Sequence, residues 1–196
     1  MKRVLVILAA AMVLFAGNGF SNNAWGPVVA YWDTADESDG IGFGAFFSFG
    51  ISENVAFDLR YTWFSDLAAD SDLSLEVMPF EAGISFIKKV GSSTALHLGG
   101  GLGYYVIDGS VDNRILWDSD FDTDDEMGLY ASVGIETTVA DNFSEGMLAE
   151  GITLFLDAGY RHVNVSGSDS DSLLKPTLDD GALDGLMANA GIRFMW

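Results

Sequence analysis

Hydrophobic and polar positions alternate along most of this chain with a period of two. Between 41 and 51, Ile41, Phe43, Ala45, Phe47 and Phe49 share one parity, and Gly42, Gly44, Phe46, Ser48 and Gly50 share the other. Successive side chains of a strand point to opposite faces, so this is a strand pattern. Eight such segments are predicted, near 24–32, 41–51, 54–64, 74–87, 94–107, 126–139, 151–165 and 186–196. Phe57, Leu59, Tyr61 and Trp63 oppose Asp58, Arg60 and Thr62; Leu96, Leu98, Leu102 and Tyr104 oppose His97, Gly99, Gly101 and Gly103; Ile152, Leu154, Leu156, Ala158 and Tyr160 oppose Asp157 and Arg161. The first segment, with Trp25, Val29, Tyr31 and Trp32, does not declare its inward face. Pro79 lacks a ladder donor, which predicts a bulge in the fourth segment.

The pattern fits an all-β, eight-stranded antiparallel up-and-down barrel. Alternation alone suits either a soluble barrel, apolar inside, or a transmembrane one, apolar outside. The glycines help to decide. Gly42, Gly44, Gly50, Gly83, Gly99, Gly101, Gly103, Gly134, Gly159 and Gly191 fall on the charged faces. Small residues are needed where an eight-stranded barrel has little interior room, and serve no such purpose on a solvated face. The apolar faces are large and often aromatic, as a lipid-facing wall requires. Tyr31, Trp32, Trp63, Tyr104 and Tyr160 are expected in an outer aromatic girdle, with Phe49, Phe86 and Trp196 in an inner one.

Composition sharpens this reading. The chain is 49% hydrophobic yet carries a formal charge of −20. A membrane barrel with charged loops puts those two properties in different solvents. No segment after residue 22 reaches the roughly eighteen apolar residues of a spanning helix. There is no cysteine, which rules out disulfides and thiolate metal sites. Lys2 and Arg3 precede the apolar run Val4 to Ala16 and the small, polar run Gly17 to Asn23. This is the layout of a Sec signal peptide, so residues 1–22 are expected to be cleaved, leaving 23–196 as one barrel domain. Loss of Lys2 and Arg3 would take the charge from −20 to −22.

The final residues, Asn189-Ala-Gly-Ile-Arg-Phe-Met-Trp196, form a strand that ends on an aromatic residue, and pairing it with the first strand would remove both sheet edges. Asn189, Gly191, Phe194 and Trp196 match a pattern that resembles the C-terminal signal read by the barrel-insertion machinery. Together with the leader, the strand number and Ala158-Gly-Tyr-Arg-His162, this pattern resembles the small outer-membrane barrel superfamily of OmpA and OmpX type. The resemblance covers nearly the whole mature chain. It implies a Gram-negative outer membrane, contact with its lipid and lipopolysaccharide, and a structural or surface-interaction role. No cofactor is expected. With no segment after residue 196, the cell-wall tethering of longer relatives is not expected here.

The basic residues within the predicted strands are Arg60, Arg161 and Arg193, and all take the inward parity, as do Asp58, Glu81, Glu136 and Asp157. Isolated buried charges cost several kcal/mol each, so these seven are expected to form a lumen salt network. They would make a closed polar plug; the alternative is a narrow channel for small or apolar molecules, as in OmpW-like barrels. His97, also inward, is expected to be a hydrogen-bonded core residue.

The segments 33–39, 66–76, 108–126 and 169–184 hold 4, 4, 8 and 5 carboxylates, with Arg114 and Lys175 as cations. Such loops repel nucleic acid. Asp118, Asp120, Asp122 and Asp124 alternate as in the opening of a calcium loop, but no Gly stands at the sixth position and Leu129 replaces the closing Glu. A loose divalent site there is the alternative to a solvated, self-repelling surface. His162, Asn164 and Ser166 share a parity at the outer end of the seventh segment. A His with a Ser is a means of activating a hydroxyl, which raises a second alternative, a lipid A-modifying enzyme. The lipid A deacylase family carries His-x-Ser-Asn, however, and His162-Val-Asn-Val-Ser166 departs from it in spacing and order. A non-enzyme is therefore expected.

Overall fold

The computed structural model describes residues 23–34, 39–65, 67, 73–111, 119–122, 126–141, 151–164 and 183–196. The expected leader, Asp118, Asp124 and Ser166 lie outside the described residues. Eight long strands are present: β1 (Ala24–Thr34), β2 (Asp39–Ser52), β3 (Val55–Phe64), β4 (Leu73–Lys89), β5 (Thr94–Val111), β7 (Glu126–Asp141), β8 (Gly151–Asn164) and β9 (Gly185–Met195). A short β6 (Ser119–Asp122) lies in the stretch expected to be loop and pairs with the far end of β5, Asp108 opposite Asp122 and Ser110 opposite Asp120. The calcium-loop reading of this segment therefore meets strand backbone at Asp120 and Asp122.

Each long strand pairs antiparallel with its neighbours in sequence, and β1 pairs with β9, so the sheet closes. At the end carrying the termini and short turns, the Trp196 amide donates to the Asn23 carbonyl at 3.1 Å. The Asn23 side chain accepts from the Gly50 amide, also at 3.1 Å. The pairing is staggered. Partners followed from Phe64 through Gly42, Ala30, Asn189, Asp157, Gly134, His97 and Ile87 lead back to β3 beside Asn54, ten residues below the start (64 to 54). This stagger and the strand number together set the tilt and a bore only wide enough for side chains.

Pro27 and Pro79 leave the register intact. β3 pairs with β4 as Tyr61 to Phe80 and again as Phe64 to Val77, with the rungs at Pro79 omitted and no slip. Pro27 does the same between Trp25–Phe194 and Val28–Gly191. The bulge expected at Pro79 is absent because a missing donor only deletes rungs. Register shifts occur instead at Gly50/Ser52 and Thr138/Ala140, both near the turn end.

The outer wall is an exposed apolar belt that includes Val29, Phe43, Leu98, Leu102, Leu129, Val133, Leu156 and Ile192. Tyr31, Trp63 and Tyr160 are exposed near the loop end, and Phe86 and Trp196 near the turn end. Two girdle expectations are corrected. Trp32 is wholly buried, because β1 turns its even positions inward. Phe49 is buried beneath the edge of Trp196, with ring centroids 6.5 Å apart and perpendicular planes.

Candidate functional site

The barrel interior holds most of the chemistry, and inward glycines make room for it. A Cβ on Gly42 would lie 2.8 Å from the Phe64 ring, one on Gly103 2.6 Å from the Tyr105 hydroxyl, and one on Gly191 2.6 Å from the Phe155 ring. A side chain on Gly134 would collide with the His97 ring. Each of these large inward rings thus lies across an inward glycine, which accounts for glycine on the charged faces.

Above this floor runs a ladder of alternating charge. Arg161 donates from Nε to Glu81 Oε1 at 2.8 Å and from Nη2 to Oε2 at 3.2 Å. Tyr105 donates its hydroxyl to the same carboxylate at 3.4 Å. Arg60 Nη1 stands 3.8 Å from Glu81, and its Nη2 donates to Asp157 at 3.0 Å. Asp157 lies 3.2 Å from His97 Nε2, and His97 Nδ1 lies 3.4 Å from Arg193 Nη2. Arg193 Nη1 donates to Glu136 at 2.8 Å. The terminal arginines also use their faces. Arg161 lies 4.7 Å over Trp32 and 5.7 Å over Phe64; Arg193 lies 5.0 Å over Phe46 and 4.8 Å over Phe155. Carboxylates at the edge and rings at the face suit a planar guanidinium buried from water.

Six of the seven residues expected in the lumen network therefore meet. Asp58 does not join: its buried Oδ1 has no hydrogen-bond partner. It sits two residues from Arg60 on the same inward face, and the Arg60 guanidinium reaches away across the bore. His97 and Tyr105 join without having been expected in the network. Parity had placed His97 inward as a core residue; its position between Asp157 and Arg193 follows only from the closed barrel.

The interior is not polar throughout: the expected polar plug fills only part of the bore. At the loop end Ala30, Trp32, Phe64, Val77, Tyr105, Ile107 and Val163 form an apolar cluster, completed by Leu67 and Leu183 from the connections after β3 and before β9. Trp32 makes edge contact with Phe64 at 5.5 Å. A second cluster of Ala24, Val28, Phe46 and Phe155, with Met195 against it, closes the turn end. Neither cluster was expected, because parity alone does not say how far along the bore the charged residues extend.

At the loop-end rim, His162 faces outward and is oriented by a neighbour that the sequence does not reveal. Asp184 Oδ2 lies 2.6 Å from His162 Nδ1, while Oδ1 accepts from the Val163 amide at 2.8 Å. The β8–β9 ladder stops at Arg161–Gly185, so the Asp184 carboxylate takes up the amide left over just beyond it. Among the described residues no three His, Asp or Glu side chains converge to hold a metal ion. In the final strand, Phe194 stacks on Trp25 at 5.0 Å, Gly191 lies under Phe155, and Asn189 is buried facing inward.

No protein-family profile matches the chain, and no curated protein matches it in sequence. Solved structures do resemble it. Neisserial surface protein A matches with a TM-score of 0.56 at 19% identity, over 89% of this chain and 96% of that one. The N-terminal β-barrel domain of OprF from Pseudomonas aeruginosa matches with a TM-score of 0.52 at 11% identity, over 91% of this chain and 100% of that one. The chain has the fold of the small eight-stranded outer-membrane β-barrels.

Proposed function

We propose that this protein is an integral outer-membrane barrel with a closed bore, and that its role is structural or surface-interacting rather than transport. The observation that carries the reading is the filled interior: an ion-pair ladder from Arg161 to Glu136, capped at both ends by apolar clusters. Ions crossing such a barrel would have to displace charges that are already paired and aromatic rings that are already packed. The exposed apolar belt supports residence in a bilayer, since a soluble monomer rarely exposes so continuous an apolar wall. The fold supports the outer membrane as that bilayer, reached after export and cleavage near residue 22. Asn189, Gly191, Phe194 and Trp196 are then the residues offered to the insertion machinery. The acidic segments at the loop end, flanked by lipopolysaccharide, form the surface available to a partner. The likeness to a protein described as a surface protein supports that placement.

The channel alternative is disfavoured by the same interior. The enzyme alternative keeps one supporting contact, the Asp184–His162 pair, but its hydroxyl, Ser166, lies outside the described residues. The test is conductance. Purified protein in planar bilayers at neutral pH should give no stable large-conductance state, whereas steady ohmic conductance would overturn the closed-bore reading. Mass spectrometry of lipid A from cells expressing wild type or His162→Ala should give the same species.

A further inference from the structure

On the outer wall, the seam between β1 and β9 carries a groove of about 220 Å³, lined by Val29, Tyr31, Ile41, Leu156, Ala188 and Ala190. The pairing explains its shape. One rung sets Ile41, Tyr31, Ala188 and Ala158 side by side across β2, β1, β9 and β8, and the next outward rung sets Phe43, Val29, Ala190 and Leu156. On both rungs β9 offers only a methyl group, while Ile41 and Leu156, both more than half exposed, stand as banks on either side. Directly above, the last rung of β1 and β2 pairs Asp33 with Asp39. Both are exposed, share the outward parity of Tyr31 and Ile41, and interact electrostatically with the Tyr31 phenol. Like charges directly opposite in a ladder repel. Among the described residues neither carboxylate forms a salt bridge. The described Arg side chains lie in the bore, and Lys88 and Lys89 lie at the far, turn end.

We propose that this groove and the carboxylates above it bind one outer-leaflet lipid whose headgroup carries a primary ammonium. An acyl chain lies over Ala188 and Ala190, and the ammonium sits between Asp33 and Asp39. In a bilayer a chain gains nothing by leaving water, so the groove holds it only through close contact. Selection therefore falls to the headgroup. An ammonium relieves the repulsion across the rung and supplies N–H donors to both carboxylates. An anionic headgroup in the same place meets two like charges. The same charges argue against a second copy of this barrel as the occupant. A two-fold contact across the groove would bring its Asp33 and Asp39 against this pair. The volume suits a single chain segment and is too small for a compact folded ligand.

This inference rests on the reading of the outer wall as lipid-facing, and its test is separable from that reading. The full barrel is folded in micelles holding equal amounts of phosphatidylethanolamine and phosphatidylglycerol with matched chains, with EDTA throughout. It is then washed in lipid-free detergent, and the retained lipid is extracted and quantified by mass spectrometry. About one lipid per barrel should remain, with the ethanolamine lipid favoured about fivefold or more, as exposed charge pairing allows. Asp33→Asn combined with Asp39→Asn should leave the gel shift of the folded barrel unchanged and bring the two lipids level. Ala190→Leu fills the groove on a face that already carries Leu and Val, and should lower retention of both lipids. The proposal is overturned by equal retention in the wild type, by a preference that survives the double Asn replacement, by unchanged retention in Ala190→Leu, or by a dimer that Ala190→Leu abolishes. A chain that stays folded and dispersed without detergent would instead sink the lipid-facing reading itself.

Discussion

Arg161 and Glu81 meet in the middle of the barrel through two near-parallel contacts, with both side chains fully buried, although 80 residues separate them in sequence. They sit on β8 and β4, which are not neighbours in the sheet, so the pair bridges the bore and does not merely decorate one wall. Removing one partner leaves a charge in a place that water does not reach easily. Arg161→Met or Glu81→Leu alone should destabilise the barrel by about 3–5 kcal/mol, while the double replacement should recover most of that loss. Urea titration of refolded protein, followed by the gel shift between folded and unfolded barrel, measures both.

The packing of rings over glycines makes a second expectation. The atoms nearest a Cβ on Gly103 all belong to the Tyr105 ring. Gly103→Ala should therefore cost about 1–3 kcal/mol, and Tyr105→Leu in the same chain should relieve much of it. A double-mutant cycle in urea reads the coupling; additive losses would show that the ring is not what the new methyl meets.

The outward belt can be tested at its centre. Leu98 and Val133 are ladder partners on β5 and β7, and both are more than half exposed. Val133→Arg should cost about 2–4 kcal/mol in refolding into liposomes, as for a cation placed near the hydrocarbon midplane. An unchanged midpoint would mean that this wall does not face lipid.

Asp184 should act locally. Asp184→Ala removes the acceptor of the Val163 amide and the partner of His162, so exchange at Val163 should accelerate by about tenfold or more. His162 is more than half exposed, so the pair should contribute no more than about 1 kcal/mol to global stability. Native-state exchange and a urea titration on the same sample separate the two effects.

Much of the fold was legible because side-chain parity is a local property. Ile41 to Gly50 states its two faces in ten residues, and the strands that form lie close to the expected ones. β6 was missed because four residues rich in Asp carry no strand signal of their own; the protruding end of β5 recruits them. Trp32 was read as interfacial because β1 mixes aromatics on both parities, and only pairing with β2 and β9 fixes which way it turns. Leu67 and Leu183 were invisible as plug residues, since each lies in an Asp-rich connection with no strand parity to give its direction.

The sequence by itself determined the period-two pattern, the closing final strand and most of the charges that lie inside, because each is set by residue order over a few positions. Which charge meets which was decided only by the closed barrel. The ten-residue stagger brings β4, β8 and β9 to bear on one narrow axis, so Glu81 finds Arg161, His97 lies between Asp157 and Arg193, and Asp58 is left aside. Those pairings depend on distances across the bore, and no local stretch of chain encodes a distance to the opposite wall.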